Sequence, residues 1–259
     1  MIRPKRKIKD PDRKPRKGVY ILPNALTLCG MFLGFYAIIS AINGKFIHSA
    51  WAIILANIFD GLDGLVARLT KTTTRFGIEL DSLSDLVSFG IAPAILIYKW
   101  GLSDFGRVGF AIAFLFVACG ALRLARFNIQ VGFTKSFKGL PIPGAATMLA
   151  AIVIFCQEIL NFVPHRDLIF PVITFILSLL MVSNLKFHGL KEIDFREKKP
   201  FWILLFFMLI LIFIVIHPNF AIFILVSVYV FSGIIENIII LIKKRKQKTE
   251  VEDEKNKDI

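Results

Sequence analysis

Four aspartates fall within a stretch of 26 residues, at Asp60, Asp63, Asp81 and Asp85. Their surroundings are strongly apolar. One carboxylate near the middle of a membrane-spanning helix costs roughly 2.5 to 3.5 kcal/mol on insertion scales, so four without compensation would cost on the order of 10 kcal/mol. Such a cluster demands cations or water. Asp60 and Asp63 are spaced i, i+3 and Asp81 and Asp85 i, i+4, so each pair occupies one face of a helix. Two such helices joined by a short loop can aim all four carboxylates into one cavity. Two hard divalent ions with oxygen ligands, Mg²⁺ or Mn²⁺, would balance the four charges. The chemistry expected there is phosphoryl chemistry, with metals holding a diphosphate and a remaining carboxylate free to act as a base.

The neighbouring residues suit that reading. Gly61, Gly64 and Gly77 remove side chains where either a substrate or a neighbouring helix must come close. Arg68, five residues after Asp63, offers a guanidinium fork near where metal-bound phosphates would lie, and it could equally be a topology anchor. The isolated acids Asp104, Asp167, Glu158 and Glu236 carry no such pattern and are read as interfacial charges.

The elements that must position this cluster follow from composition. The chain has 259 residues, 56% of them hydrophobic, with 26 Phe and a mean hydropathy of +0.68, which excludes an ordinary soluble domain. Charge is segregated from the apolar stretches although the formal net charge is +13. Apolar segments at 23–43, 46–66, 82–98, 108–127, 141–162, 168–185, 201–217 and 219–242 predict an all-α polytopic membrane protein of about eight transmembrane helices. The acids then lie at one end of the second and third spans. With the N-terminus placed in the cytoplasm, 28 of the 32 Lys and Arg fall on inside segments. That distribution predicts a cell-membrane (inner-membrane) protein with both termini and the acidic cluster on the cytoplasmic side.

The expected organisation is a basic arm at 1–20, a six-helix core at 21–185, a cytoplasmic loop with two further helices at 186–242, and a charged, disordered tail at 243–259. The arm has no interleaved aromatic residues, so it points to anionic lipid and not to nucleic acid. No A-x-A-like cleavage site follows the first apolar run. Cys29, Cys119 and Cys156 all lie in apolar stretches and are read as small buried residues without a disulfide framework.

Asp60, Asp63, Gly64, Ala67, Arg68, Gly77, Asp81 and Asp85 together match the pattern D-x2-D-G-x2-A-R-x8-G-x3-D-x3-D. The sequence thereby resembles the CDP-alcohol phosphotransferase family, and eight fixed positions arise by chance about once in 10¹⁰ starting points. Pro23-Asn24-x-x-Thr27 extends the resemblance toward the N-terminus. It implies displacement of CMP from a CDP-linked lipid by an acceptor hydroxyl with two divalent cations, and a homodimer. It further implies that Asp60 and Asp81 bridge both metals and that Asp63 completes the first. Asp85 would ligate the second metal and take the acceptor's proton. Asn24, Gly64, Arg68 and Thr74 match positions that contact the CDP portion.

Ala121-Leu122-Arg123-Leu124-Ala125-Arg126-Phe127-Asn128 and Lys138-Gly139-Leu140-Pro141-Ile142-Pro143-Gly144 resemble the phosphatidylserine synthase branch, apart from Gly144 and Cys29. This resemblance implies CDP-diacylglycerol and L-serine as substrates, with Arg123, Arg126 and Lys138 on the acceptor. Synthesis of phosphatidylglycerophosphate, or another acceptor, is the alternative within the family. A divalent-cation transporter is the alternative outside it, but that would spread acids across the depth of several spans instead of gathering them at one end of two.

Overall fold

The computed structural model describes residues 21–70, 74–130, 139–162, 164–185, 208 and 212–257. The basic arm at 1–20, Lys138, the loop after residue 185 and most of the 201–217 segment lie outside the described residues. The described chain is helical: α1 (Ile21–Ile42), α2 (Phe46–Thr70), α3 (Arg75–Asp85), α4 (Ala92–Ile97), α5 (Gly106–Gln130), α6 (Ile142–Ile154), α7 (Ile169–Val182) and α8 (Pro218–Lys257). This bears out the all-α membrane architecture. In lipid each backbone polar group must find its partner within the segment, which helices alone achieve without closing a barrel.

The count of eight spans is not confirmed. Among the described residues, five helical runs are long and apolar enough to cross a bilayer. The segments 82–98 and 108–127 belong to one 55-residue helical run, Arg75–Ile129, and α7 has only 14 residues. Within the long run the helix loosens into π-helical turns at Leu86–Ile91 and Tyr98–Leu102. Pro93 has no N–H to give the preceding turn, and Ala92 N–H donates to the Val87 carbonyl, five residues back. The chain then reverses at Gly106, whose φ of +56° an L side chain rarely adopts. The Ser82–Asn128 hydrogen bond, 3.0 Å from Asn128 Nδ2 to Ser82 Oγ, shows α5 returning beside the start of the run.

The tail departs from expectation. Residues 243–257 continue α8 as helix and are not a disordered extension. Lys, Arg, Gln and Glu dominate this stretch, and with neither Gly nor Pro to interrupt them these residues propagate a helix already started. Cys119 and Cys156 are buried as expected, but Cys29 is exposed on α1, where the apolar outer surface of a membrane helix needs no burial.

α1 and α2 form an antiparallel pair closed by a turn in which Gly44 has φ +72°. Gly30 lets α2 approach, with the position of a Cβ there 3.7 Å from the Ala56 carbonyl oxygen. Two serines on the third run fasten it to α1: Ser84 Oγ donates to the Thr27 carbonyl and Ser88 Oγ to the Gly30 carbonyl, both at 3.1 Å. On the other side, Asn57 Nδ2 donates to Thr147 Oγ1 at 3.0 Å and ties α2 to α6. Gly139 and Leu140 donate backbone N–H groups to the Leu185 and Leu180 carbonyls, docking the start of α6 on the end of α7. The N-terminal ends of α1, α3 and α6 and the C-terminal ends of α2, α5 and α7 therefore gather at one end of the bundle. That end carries the aspartates.

Candidate active site

Each aspartate reaches the site from a helix end held by its neighbours. Thr74 caps α3, its Oγ1 accepting from Gly77 N–H at 3.0 Å, and so starts the helix that presents Asp81 one turn further on. Asp63 is buried at 6% exposure and is held by Thr27, whose hydroxyl donates to Asp63 Oδ2 at 2.6 Å. This bond links the N-terminal part of α1 to α2, and the Gly64 backbone N–H also donates to the Asp63 carboxylate.

Asp60, Asp63 and Asp81 come together, each offering one carboxylate oxygen within 4.8 Å of the others. A hard divalent ion holds oxygen ligands at about 2.0 to 2.6 Å, so three oxygens at such separations can share one ion. Asp85 sits beyond them, close enough to Asp60 for a side-chain hydrogen bond. Three of the four carboxyls that the spacing groups thus converge, with Asp85 beside Asp60. The donor set is entirely carboxylate, which fits Mg²⁺ or Mn²⁺ in preference to softer metals.

Asp60, Asp63 and Asp81 open on a cleft of about 440 Å³, and Asp85 lies behind its lining. The cleft is walled by Pro23, Asn24 and Thr27 of α1, by α2 from Asp60 to Arg68, and by Thr74, Gly77, Ile78 and Asp81. The four residues expected to contact a CDP group, Asn24, Gly64, Arg68 and Thr74, all line it. Gly61 and Gly64 show which of the two glycine explanations holds. A Cβ at Gly61 would meet nothing within 4 Å, and one at Gly64 only Arg68 Nη2 at 4.0 Å, so these glycines open the cleft and pack no helix. Gly77 is tighter, its Cβ position lying 3.1 Å from Asn24 Oδ1 and 3.2 Å from Thr74 Oγ1.

The expected acceptor residues separate. Arg123 is largely buried, interacts electrostatically with Asp85, and keeps its Nε buried without a hydrogen-bond partner. Arg126 Nη2 donates to Asn184 Oδ1 at 2.7 Å. The i, i+3 spacing allowed both forks to reach one cavity; the proximity of the α7 end at Asn184 gives Arg126 a different partner. Two contributors were not among the residues singled out for the site. Thr27 was legible only as part of the Pro23-Asn24-x-x-Thr27 motif, while nothing in the sequence marks Tyr229 of α8, which interacts with Arg123.

The sequence model of CDP-alcohol phosphatidyltransferases matches residues 20–182, the region that builds the whole cleft. The chain belongs to that family. It is 38% identical over 234 residues to a CDP-diacylglycerol–serine O-phosphatidyltransferase of Helicobacter pylori, covering 88% of this chain and 96% of the relative. A protein of the same name from Methanocaldococcus jannaschii is 37% identical over 220 residues, 85% of this chain and 96% of the relative. An archaetidylserine synthase of Methanothermobacter thermautotrophicus is 39% identical over 168 residues, 64% of this chain and 69% of the relative. Membership in a family of membrane transferases leaves no place for the transporter alternative.

Proposed function

We propose that this member of the CDP-alcohol phosphatidyltransferase family transfers the phosphatidyl group of CDP-diacylglycerol to the hydroxyl of L-serine and releases CMP. The observation that carries this reading is the convergence of Asp60, Asp63 and Asp81 oxygens within 4.8 Å in a cleft that Asn24, Gly64, Arg68 and Thr74 also line. The names of the relatives support serine as acceptor, because those of the diacylglycerol and archaetidyl enzymes share serine and differ in the lipid.

In this proposal Asp60, Asp63, Asp81 and Asp85 hold two Mg²⁺ or Mn²⁺ ions, which when bound neutralise the diphosphate and stabilise the departing CMP. Asn24, Arg68 and Thr74 orient the CDP portion, and the bare backbone at Gly61 and Gly64 lets it lie close to α2. Arg123 holds the serine carboxylate beside Asp85. Asp85 takes the proton of the serine hydroxyl as its oxygen bonds to the lipid-side phosphorus and the bond from that phosphorus to the CMP oxygen breaks. Arg126, paired with Asn184, shapes the α5–α7 end, and Lys138 contributes positive charge to the acceptor side. The six-helix core at 21–185 carries the reaction as a homodimer in the cell membrane, with the cleft and both termini on the cytoplasmic face.

The deciding experiment is release of CMP from CDP-diacylglycerol by purified protein with Mg²⁺ or Mn²⁺. L-Serine should be required and should appear in the lipid product. Equal or faster release with glycerol 3-phosphate would overturn the acceptor, and no release with any alcohol would overturn the reaction.

A further inference from the structure

The last helix reaches the catalytic end from outside the region matched by the family. α8 runs antiparallel to α6. Near its start Phe223 stacks on Phe155 at a centroid distance of 4.3 Å and an interplanar angle of 17°. Further along, the Tyr229 ring lies over Gly144, with Cε1 3.3 Å from where a Cβ at that position would be. Gly144 is thus the gap that admits the ring, and it is one of the two positions at which the sequence departs from its branch. The adjoining packing is tight: a Cβ on Gly120 of α5 would collide with Ile142 Cδ1 at 2.6 Å, so α5 lies directly against the start of α6. The same packing sets Tyr229 near Arg123, one turn beyond Gly120, and Arg123 interacts electrostatically with both Tyr229 and Asp85.

A guanidinium on a long side chain has many rotamers, and its usefulness toward a small carboxylate depends on losing them before the substrate arrives. Arg123 has a buried Nε without a partner, so that atom does not hold it in place. A tyrosine oxygen can accept from guanidinium N–H groups. We infer that Tyr229 is a positioning residue for the acceptor: it holds Arg123 toward Asp85, so that the C-terminal helix takes part in selecting serine. The inference rests on the assignment of the serine carboxylate to Arg123.

The test compares Tyr229→Phe, Gly144→Ala and Arg123→Lys in the full-length protein, reading KM for serine, KM for CDP-diacylglycerol, kcat and thermal stability. Tyr229→Phe keeps the ring and removes the oxygen. It should raise KM for serine about fivefold or more, within the ~100-fold that a 1 Å misplacement can cost, with KM for CDP-diacylglycerol and stability unchanged. Gly144→Ala displaces the ring by a few tenths of an ångström and should act in the same direction more weakly. Arg123→Lys should raise the serine KM, and adding Tyr229→Phe to it should have little further effect. If Arg123→Lys raises the serine KM and Tyr229→Phe does not, the role of Tyr229 is overturned while the acceptor assignment stands. If neither changes it, both are overturned. Equal rises in both substrates' KM values in Tyr229→Phe would reduce Tyr229 to packing and overturn the inference.

Discussion

The Thr27 hydroxyl donates to Asp63 Oδ2 at 2.6 Å, across 36 residues of sequence, and so fixes one carboxylate of the cluster against α1. Partners of this kind, behind a metal ligand, hold its orientation and typically contribute 10- to 100-fold in metal affinity or activity. Thr27→Val, which keeps the shape and removes the donor, should therefore raise the Mg²⁺ or Mn²⁺ concentration for half-maximal activity by about tenfold. A metal titration of CMP release checks it; an unchanged midpoint would mean that Asp63 needs no such support.

Asp85 is near Asp60 but apart from the oxygens that converge for one ion, which is where a carboxyl that handles the acceptor's proton should be. Asp85→Asn should lower turnover by roughly 10²-fold or more, with the protein still folded by circular dichroism. Asp104, exposed near the turn at Gly106, is the control, and Asp104→Asn should change turnover less than twofold, within the ~0.5 kcal/mol that surface substitutions usually cost.

Gly64 offers a direct test of the cleft. Since a Cβ there meets only Arg68 Nη2 at 4.0 Å, Gly64→Leu has room to fold and places its side chain in the space assigned to CDP. CMP release should fall by about tenfold or more, as for a blocked binding pocket, with the melting temperature in detergent within a few degrees of the parent. Full activity would show that the substrate does not use this wall.

Removal of divalent ions should abolish activity reversibly and also lower stability, because carboxylates left close together in a poorly hydrated site repel one another. An ion at 100 times its Kd stabilises the folded state by about 2.7 kcal/mol. The protein treated with a chelator should melt several degrees lower, and Mg²⁺ or Mn²⁺ should restore both melting temperature and CMP release. A melting temperature indifferent to divalent ions would argue against ion binding by this cluster.

Close packing gives a last prediction, about the fold itself. A Cβ on Gly34 would lie 2.7 Å from the Ser88 Cα, an approach to backbone that no rotamer change relieves. Gly34→Ala should destabilise the protein by about 1 to 3 kcal/mol, as for overpacked cores, measured as a lower melting temperature in detergent. The same change at Gly61, which faces open space, should leave the melting temperature unaltered.

Composition and spacing alone determined that this chain is helical, lies in a membrane and carries four carboxylates on two helix faces. Those properties follow from local periodicity and from the cost of charge in hydrocarbon, both of which act within a single segment. Where local rules stopped, so did legibility. The 55-residue run at Arg75–Ile129 breaks where π turns and the positive φ of Gly106 allow, not simply where hydropathy dips. The spacing of Arg123 and Arg126 did not reveal that Arg126 meets Asn184, and the position of Tyr229 became visible only through the gap at Gly144 that admits its ring. Such pairings join residues 58 and more positions apart, and they depend on which helix packs against which, a choice made by glycine gaps and buried hydroxyls on several helices at once.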